Sequence, residues 1–320
     1  MADIEITVDG GTSKRLLTAG KYCDRDILVT ATGGGGGEPE PPDDGKTRLY
    51  ITIPPNAMPD RPPARNEVPL YIQQTVENGV TIDWGDGSEP ETIPGTGKVN
   101  TTHTYQQAGD YAISLDPAEG CELGLGDGDV YKCVVGGIGS KNSGYGGMLK
   151  RAIIGRKVTA IGSYSFQYCF SLDSVFISDS VIRIESGSFR YCYSLTSVII
   201  PVSVTSIEQS AFQECRSLSL VSIPNTVVDI ESGVFQSCYS ITSVIIPASV
   251  TTIKNTAFKS CRGIKEYHLF SETPPQLTHI DALSGINPDC IIYVPVGSLE
   301  AYQTATNWST YADQMREEGT

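Results

Sequence analysis

The sequence predicts a mainly β protein, in which a β-sandwich is followed by a solenoid of stacked coils. The solenoid is predicted because phenylalanine and cysteine each recur at a spacing of 23 residues, and a fixed period of this length is typical of repeat architectures. The sandwich is predicted because several short apolar stretches, separated by turn residues, precede the repeats. A pair of strand-like stretches at the start adds a small further β unit.

The first 32 residues are expected to dock the chain onto something else. They contain two strand-like stretches, 4–8 and 26–30, which are too few to bury a core of their own. Residues 16–27 resemble leading segments of bacteriophage and prophage tail or virion proteins, and this resemblance implies attachment to other virion proteins. Residues 33–46, a run of glycines followed by prolines, are expected to form a linker.

Residues 47–116 are expected to form the β-sandwich. Its predicted strands, read from alternating apolar residues, are 48–53, 70–72, 80–84 and 109–115. The stretches 82–88 (I-D-W-G-D-G-S) and 102–105 (T-H-T-Y) resemble the polycystic-kidney-disease type of immunoglobulin-like module. That resemblance implies an immunoglobulin-like sandwich that presents other parts of the protein and carries no particular chemistry.

The solenoid is expected to occupy residues 151–275, with a glycine-rich entry cap at 117–150 and a C-terminal cap at 276–320. An apolar residue precedes each phenylalanine by five positions, and another follows each cysteine by three. We number the five coils by their repeated residues, which are Phe166 and Cys169, Phe189 and Cys192, Phe212 and Cys215, Phe235 and Cys238, and Phe258 and Cys261. The pattern I-x-x-x-x-F-x-x-C-x-x-L-x-x-V-x-I-P closely resembles the BspA-like leucine-rich repeat, a class found on bacterial surface proteins and in phage genomes.

Composition argues against several function classes. The chain carries 23 Lys and Arg against 37 Asp and Glu, a formal charge of -14, which disfavours nucleic acids and anionic membranes as partners. No apolar stretch reaches the roughly 18 residues of a membrane span, and the start, Met1 to Glu5, lacks a signal-peptide pattern. Nine cysteines without a C-x-x-C pair indicate synthesis in a reducing compartment.

The first candidate binding surface is a row of side chains that face outward from the solenoid strands. Residues at alternate strand positions, such as Val198 and Ile200, are expected to face the core, so that Ile199 between them faces out. We call this set the outward row, and its members are Phe176, Ile199, Ser222, Ile245 and His268. Exposed apolar groups in a line indicate a contact surface, unless a neighbouring module or a partner subunit covers them.

The second candidate surface follows each cysteine directly. We call it the aromatic-arginine row, and it consists of Phe170, Tyr193, Arg216, Tyr239 and Arg262. Aromatic residues and arginine dominate contact energies in interfaces. The same residues also stabilise a protein internally through cation-π pairs, worth about 0.5 to 1 kcal/mol each. Both interpretations, ligand contact and internal stacking, stay open at this point.

Metal and catalytic chemistry find little support in the sequence. A row of buried cysteines does not converge on one metal ion as a tetrahedral zinc site does. Asp83, Asp86 and Asp110 are weak candidates for calcium ligands, because Asp-Gly pairs are more often plain turns. The three histidines lie in no H-E-x-x-H motif or nucleophile elbow. The chain is therefore not expected to be an enzyme or to carry a cofactor.

The sequence favours a bacteriophage virion protein, tail-associated or head-decorating, that displays its modules for binding a host-surface glycan or protein. It would be assembled in the host cytoplasm and located on the virion surface, with homo-oligomerisation left open. The first alternative is a BspA-like adhesin on the bacterial cell surface. An alternative of another class is the accessory-module part of a carbohydrate-active enzyme.

Overall fold

The computed structural model describes residues 7–8, 11–12, 44–55, 66–126, 128–129, 132–135 and 147–319. Strands β1 (Thr7–Val8) and β2 (Gly11–Thr12) form a short antiparallel pair. The stretch at 26–30 and the phage-like segment 16–27 lie outside the described residues, as does most of the expected linker.

The residues that precede the solenoid form two antiparallel sheets that bury their apolar faces in one hydrophobic cluster. Gln74 joins the two sheets, because its side-chain amide donates to Ile93 O at 2.7 Å and accepts from Val80 N at 3.1 Å. The immunoglobulin-like assignment of this unit stays a prediction. Its strands are β3 (Thr47–Ile53), β4 (Glu67–Gln74), β5 (Val80–Asp83), β6 (Glu91–Thr92), β7 (Gly97–Thr104), β8 (Gly109–Pro117) and β9 (Leu123–Leu125).

The solenoid has a wall of longer parallel strands, a second side of two-residue strands, and a third side of irregular turns that carry the repeated Phe and Cys residues. A mainly β chain with a repeat solenoid is thereby confirmed. The wall consists of β10 (Leu149–Ile154), β12 (Ser174–Ile177), β14 (Ser197–Ile199), β16 (Leu220–Ser222), β18 (Ser243–Ile246), β20 (Glu266–Leu269), β22 (Ile291–Val294) and β23 (Met315–Glu317). The second side consists of β11 (Ala160–Ile161), β13 (Arg183–Ile184), β15 (Ser206–Ile207), β17 (Asp229–Ile230), β19 (Thr252–Ile253) and β21 (Gln276–Leu277).

One continuous sheet joins the two parts of the protein. The first solenoid strand, β10, pairs antiparallel with β3 of the preceding unit, with Arg151 opposite Tyr50 and Ile153 opposite Arg48. On its other edge β10 pairs in parallel with β12. An open first coil would present an unpaired strand edge, which is prone to association with other chains. The preceding unit covers that edge and holds the solenoid wall in a fixed register.

The repeated phenylalanines and cysteines fill the interior of the coils. The five Phe rings are fully buried and stack along the solenoid axis with centroids 5.1 to 5.6 Å apart. Each thiol from coil 2 onward also donates to the Phe carbonyl of the preceding coil; Cys192 Sγ, for example, lies 3.1 Å from Phe166 O. Burial raises the pKa of the Cys192 and Cys215 thiols. The cysteines therefore link neighbouring coils in addition to packing as small apolar groups.

Two turn positions in every coil adopt a left-handed backbone conformation. The first is occupied by Tyr164, Gly187, Ser210, Gly233 and Thr256, whose φ angles lie between 57° and 66°. The second directly precedes each repeated cysteine and is occupied by Tyr168, Tyr191, Glu214, Ser237 and Ser260. A β-branched residue is strained in this region, whereas glycine is not.

Replacement of Thr256 by glycine is therefore expected to raise the free energy of unfolding by about 1 kcal/mol, measured by urea denaturation. The reverse replacement, Gly233→Thr, is the matched control and should destabilise; a loss of stability in Thr256→Gly would contradict the expectation.

The C-terminal residues close the last coil. The sequence predicts a helix from Ser298 to about Thr304, and the structure places α1 at Leu299–Thr304 with Ser298 as its N-cap residue. Two 3-10 helices, Ile280–Leu283 and Trp308–Gln314, lie on either side. The buried Trp308 indole donates to Pro275 O at 2.7 Å and fixes this segment on the coil beneath it. The described part of the chain contains no apolar helix of membrane-spanning length.

Candidate functional site

The outward row is exposed at its first two members. Val198 and Ile200 are buried while Ile199 is 50 % exposed, which confirms the predicted alternation. Phe176 is 54 % exposed at the equivalent position of β12. Because Val175 pairs with Val198, Phe176 and Ile199 lie on neighbouring strands, roughly 4.8 Å apart. The two largest apolar side chains of the row thus stand next to each other on a hydrogen-bonded sheet.

An open groove of about 210 Å³ adjoins these two side chains. Ser174 and Ser197 line it on the polar side, and Arg151 lies at its end, with its guanidinium 4.7 Å from the centroid of the Tyr50 ring. The period of two along a strand, counted back from Phe176 and Ile199, identifies both serines. Arg151 could not be found in this way, because β10 belongs to a coil without the Phe and Cys signature.

The later members of the outward row are less exposed than predicted. Ser222 and Ile245 are half-buried. His268 is only 5 % exposed, so its predicted place on an open surface is wrong. Its ring stacks on Tyr293 with centroids 5.0 Å apart, and its Nδ1 lies 2.7 Å from Glu318 Oε1. The C-terminal strands β22 and β23 extend the wall beyond coil 5 and bring these covering residues with them.

The contacts of His268 predict a pH-dependent stability. Burial acts to lower the pKa of His268, but the hydrogen bonds and negative charges of Glu318 and Glu266 prevail and raise it. A histidine whose pKa is higher in the folded state than in the unfolded state stabilises the fold. This stabilisation is fully present below the unfolded-state pKa of about 6.5, and it is lost as the pH rises through the folded-state pKa. Tyr293 and Arg316 occupy the adjoining positions of β22 and β23.

The free energy of unfolding of the native protein is therefore expected to fall between pH 6 and pH 8. It should fall by less in His268→Gln, because the glutamine side chain does not titrate. Urea denaturation at the two pH values measures both differences, and subtraction removes the contribution of all other titrating groups. His279→Gln, at an exposed histidine whose Nδ1 accepts from Asp281 N, gives the comparison at a second histidine. An identical pH dependence in His268→Gln would show that this contact contributes nothing.

The aromatic-arginine row forms a stack that runs across the coils. Phe170 stacks on Tyr193 with centroids 6.0 Å apart, and the Arg216 guanidinium lies 4.5 Å from the Tyr193 ring and 5.9 Å from the Tyr239 ring. Arg216 also pairs with Glu214 at 2.9 Å. Arg262 is exposed at the next position. Both faces of Tyr193 are thus covered by neighbours of the same chain, which favours internal stacking as the main role of this row.

In coils 1 and 2 the residue before the cysteine is a tyrosine that packs against its neighbours. Tyr168 and Tyr191 stack with centroids 4.7 Å apart, and the Arg190 guanidinium lies 4.7 Å from the Tyr191 ring. Gln167, two positions before Cys169, is 3 % exposed. These contacts add a second row of stacked rings on coils 1 and 2. They stiffen the turn side of the solenoid.

The candidate calcium ligands do not meet at one point. Asp83 Oδ1 accepts from Gly85 N, and Asp110 Oδ1 accepts from Thr52 Oγ1. Asp86 Oδ2 lies 2.7 Å from His103 Nε2. Partial burial acts to raise the pKa of Asp86, but hydrogen bonds from Ser88 and His103 prevail and lower it to about 2. Within the described ranges, no group of three or more His, Cys, Asp or Glu residues is placed to hold a metal ion.

Comparison with protein families identifies the repeats. Residues 141–274 match the family model of the BspA type leucine-rich repeat region in 6 copies. The solenoid is therefore a BspA-type leucine-rich repeat region, as the resemblance of the sequence pattern implies. The model counts one copy more than the five coils defined by Phe and Cys, and strand β10, which lies within the matched range, supplies the wall of that additional copy.

Solved structures of leucine-rich repeat proteins are similar to part of the chain. A leucine-rich repeat protein of T. pallidum is 32 % identical over 37 % of this chain and 55 % of its own, with a TM-score of 0.36. A leucine-rich cell surface protein of Faecalibacterium prausnitzii is 24 % identical over 49 % of this chain and 52 % of its own, with a TM-score of 0.37. The chain thus spans about half the length of the structures it matches. No curated protein sequence matches it.

Proposed function

We propose that this chain is an adhesive repeat protein of the bacterial cell surface, and that it binds its ligand on the outward face of coils 1 and 2. The observation that carries the proposal is the pair of exposed apolar side chains, Phe176 and Ile199, beside an open groove. The BspA-type repeats support the location, because the repeat class that the sequence resembles is found on bacterial surface proteins.

The chemistry of this face favours a protein ligand. Large apolar side chains at the centre of a contact surface, next to hydroxyl groups at its rim, are typical of protein interfaces. Ile199 offers no ring face on which a sugar could stack. Ser174 and Ser197 supply donors and acceptors beside the apolar pair. A protein segment with a matching apolar side chain therefore fits this surface better than a glycan does.

The proposal is tested by adhesion of the fluorescently labelled chain to intact cells. A double variant, Phe176→Ser with Ile199→Ser, places serine at both positions, which is the residue that coil 3 has at the equivalent position 222. This variant is expected to weaken adhesion at least tenfold. The matched control is Ile182→Ser with Val228→Ser, which removes two side chains of similar exposure, 44 % and 50 %, away from this face. The control should bind like the native chain.

Treatment of the cells separates the two ligand classes. Mild protease treatment is expected to abolish adhesion, whereas periodate oxidation of surface sugars should leave it unchanged. Adhesion that survives protease and is lost after periodate would identify a glycan and contradict the protein assignment. Equal adhesion of the face variant and the native chain would contradict the proposed function as a whole.

The virion role stays a separate prediction, because it depends on the segment 16–27. Deletion of residues 1–32 is expected to abolish incorporation into particles while the rest of the chain stays folded. Normal incorporation of that truncated chain would contradict it. Antibody labelling of intact cells that express the gene, without labelling of particles, would support the surface location. The assignment as a non-enzyme also stays a prediction.

A further inference from the structure

The hydrogen-bonded ladders of the solenoid stop between coils 3 and 4. On the wall, one sheet ends at β16, and a separate sheet begins at β18. On the second side, β11, β13 and β15 form one sheet, and β17, β19 and β21 form another. Both breaks fall between the same two coils, although the spacing of the apolar residues in the sequence is unchanged there.

Backbone bonds beside the strands show the same break. On the wall, Ser219 N donates to Thr196 O at 2.9 Å and Lys265 N donates to Thr242 O at 2.8 Å. Among the described residues, no equivalent bond joins Thr242 N to Ser219 O.

The second side repeats the observation. Glu208 N donates to Ile184 O and Lys254 N donates to Ile230 O, each at 2.8 Å, whereas within the described part of the chain Glu231 N makes no bond to Ile207 O. Backbone bonds thus tie each coil to its neighbours on these two sides, except at this one junction among the described coils.

The packing at this junction differs slightly from that at the other junctions. A narrow crevice, too small for a water molecule, lies there and is lined by apolar side chains of both coils together with Asp229. The rings of Phe212 and Phe235 are 5.6 Å apart, the widest spacing in the Phe stack. The hydroxyl of Ser243, at the start of β18, is buried without a hydrogen-bond partner.

The turn side, in contrast, stays intact across the junction. Ser210 N donates to Ser232 O at 3.0 Å, Phe212 N to Val234 O at 2.9 Å, and Glu214 N to Gln236 O at 2.8 Å. Cys238 Sγ lies 3.1 Å from Phe212 O. Backbone hydrogen bonds therefore connect coils 3 and 4 along the turn side only, and one side-chain bond, from Thr226 Oγ1 to Val204 O, joins them beside the second side.

We propose that the solenoid bends at this junction, with the turn side as its hinge. Bending here breaks no inter-strand hydrogen bond, whereas bending at any other junction of the five coils would break several. The two blocks that move are coils 1 to 3 with the preceding two-sheet unit, and coils 4 and 5 with the C-terminal segments. Bending changes the distance between Ser222 and Ile245 and leaves Phe176 and Ile199 fixed to each other. This inference does not depend on the proposed function.

Pulsed electron paramagnetic resonance on the full chain tests the hinge. Nitroxide labels are coupled to an unnatural ketone amino acid, so that the native cysteines stay untouched. One pair, at Asp173 and Thr242, spans three strand spacings, roughly 15 Å, and crosses the junction. The matched pair, at Lys150 and Ser219, spans the same number of strands within one block. The crossing pair is expected to give a distance distribution at least twice as wide as that of the matched pair.

Hydrogen exchange of the unlabelled chain provides a second readout that labelling cannot disturb. The amides of Ser240 and Thr242 are expected to exchange at least tenfold faster than those of Ser217 and Ser219, which hold the same positions one coil earlier and donate to Tyr193 O and Thr196 O. Equal widths for the two label pairs would overturn the hinge. Equal protection of Thr242 and Ser219 would overturn the break in the backbone hydrogen bonds on which the hinge depends.

Discussion

Replacement of Phe212 by alanine is expected to lower the free energy of unfolding by about 3 to 5 kcal/mol. Phe212 is fully buried, and its ring lies between those of Phe189 and Phe235, at 5.2 and 5.6 Å. The substitution removes the ring from the middle of a continuous stack and leaves a cavity that the surrounding side chains fill only in part. Urea denaturation followed by circular dichroism measures the loss.

The same change of residue type at an exposed site is the control. Phe176→Ala removes a ring that is 54 % exposed on the outward row, and it should change stability by no more than about 0.5 kcal/mol. A similar loss of stability in both variants would mean that the Phe stack is not the core of the solenoid. An unchanged stability of Phe176→Ala would also show that the Phe176 side chain is not needed for the stability of the fold.

Replacement of Gly155 by valine is expected to cost about 3 kcal/mol, at the upper end of typical overpacking effects. Gly155 directly follows β10, where the solenoid wall joins the preceding unit. A Cβ atom at this position would lie 2.3 Å from Gly45 O and 2.5 Å from Lys46 C. Because both obstacles are backbone atoms, they cannot move aside without disturbing the start of β3, and the junction between the two parts must shift.

Gly147→Val tests whether the effect is specific to that contact. A Cβ atom at Gly147 would meet Ser171 Oγ at an ordinary 3.7 Å, so this variant should lose less than about 1 kcal/mol. Thermal unfolding of both variants gives the comparison. If Gly155→Val proved as stable as the native chain, the close approach of the two backbones at the junction would be contradicted.

Much of the solenoid could be predicted from the sequence, because its interior is dictated by the period. The buried Phe and Cys positions follow from the 23-residue spacing, and the exposure of Ile199 follows from the alternation along a strand. The short C-terminal helix was also predicted, because the C-terminal run is similar to the usual ending of proteins with this repeat, although Ser298 makes no side-chain capping hydrogen bond. These features are local, or are repeated many times in the chain.

The features that could not be predicted depend on contacts between distant segments. The pairing of β3 with β10 joins residues about a hundred positions apart, and β10 lacks the Phe and Cys that mark the other coils. His268 is covered by Glu318, which belongs to the C-terminal strand region and not to a repeat. The break between coils 3 and 4 could not be predicted from the sequence either, because it affects backbone hydrogen bonds while every repeated apolar position is kept.

The exposure of the aromatic-arginine row was the least predictable property of the candidate surfaces. The sequence leaves ligand contact and internal stacking equally open for Tyr193 and Arg216. The Arg216 guanidinium lies 4.5 Å from the centroid of the Tyr193 ring, so that the ring face and the guanidinium contact each other. A row that is already stacked has less surface to offer a ligand, whereas no ring or guanidinium of the described residues stacks on Phe176.

A photo-crosslinking comparison on intact cells tests most directly whether the outward face of coils 1 and 2 contacts the ligand. A benzophenone amino acid is placed at Phe176 in one variant and at Ile182, exposed on another side of the coil, in the other. Irradiation of the bound chain is expected to yield a covalent adduct with a cell-surface protein from position 176 and none from position 182. Adducts of equal yield from both positions, or from position 182 alone, would contradict the assignment of this face as the binding surface.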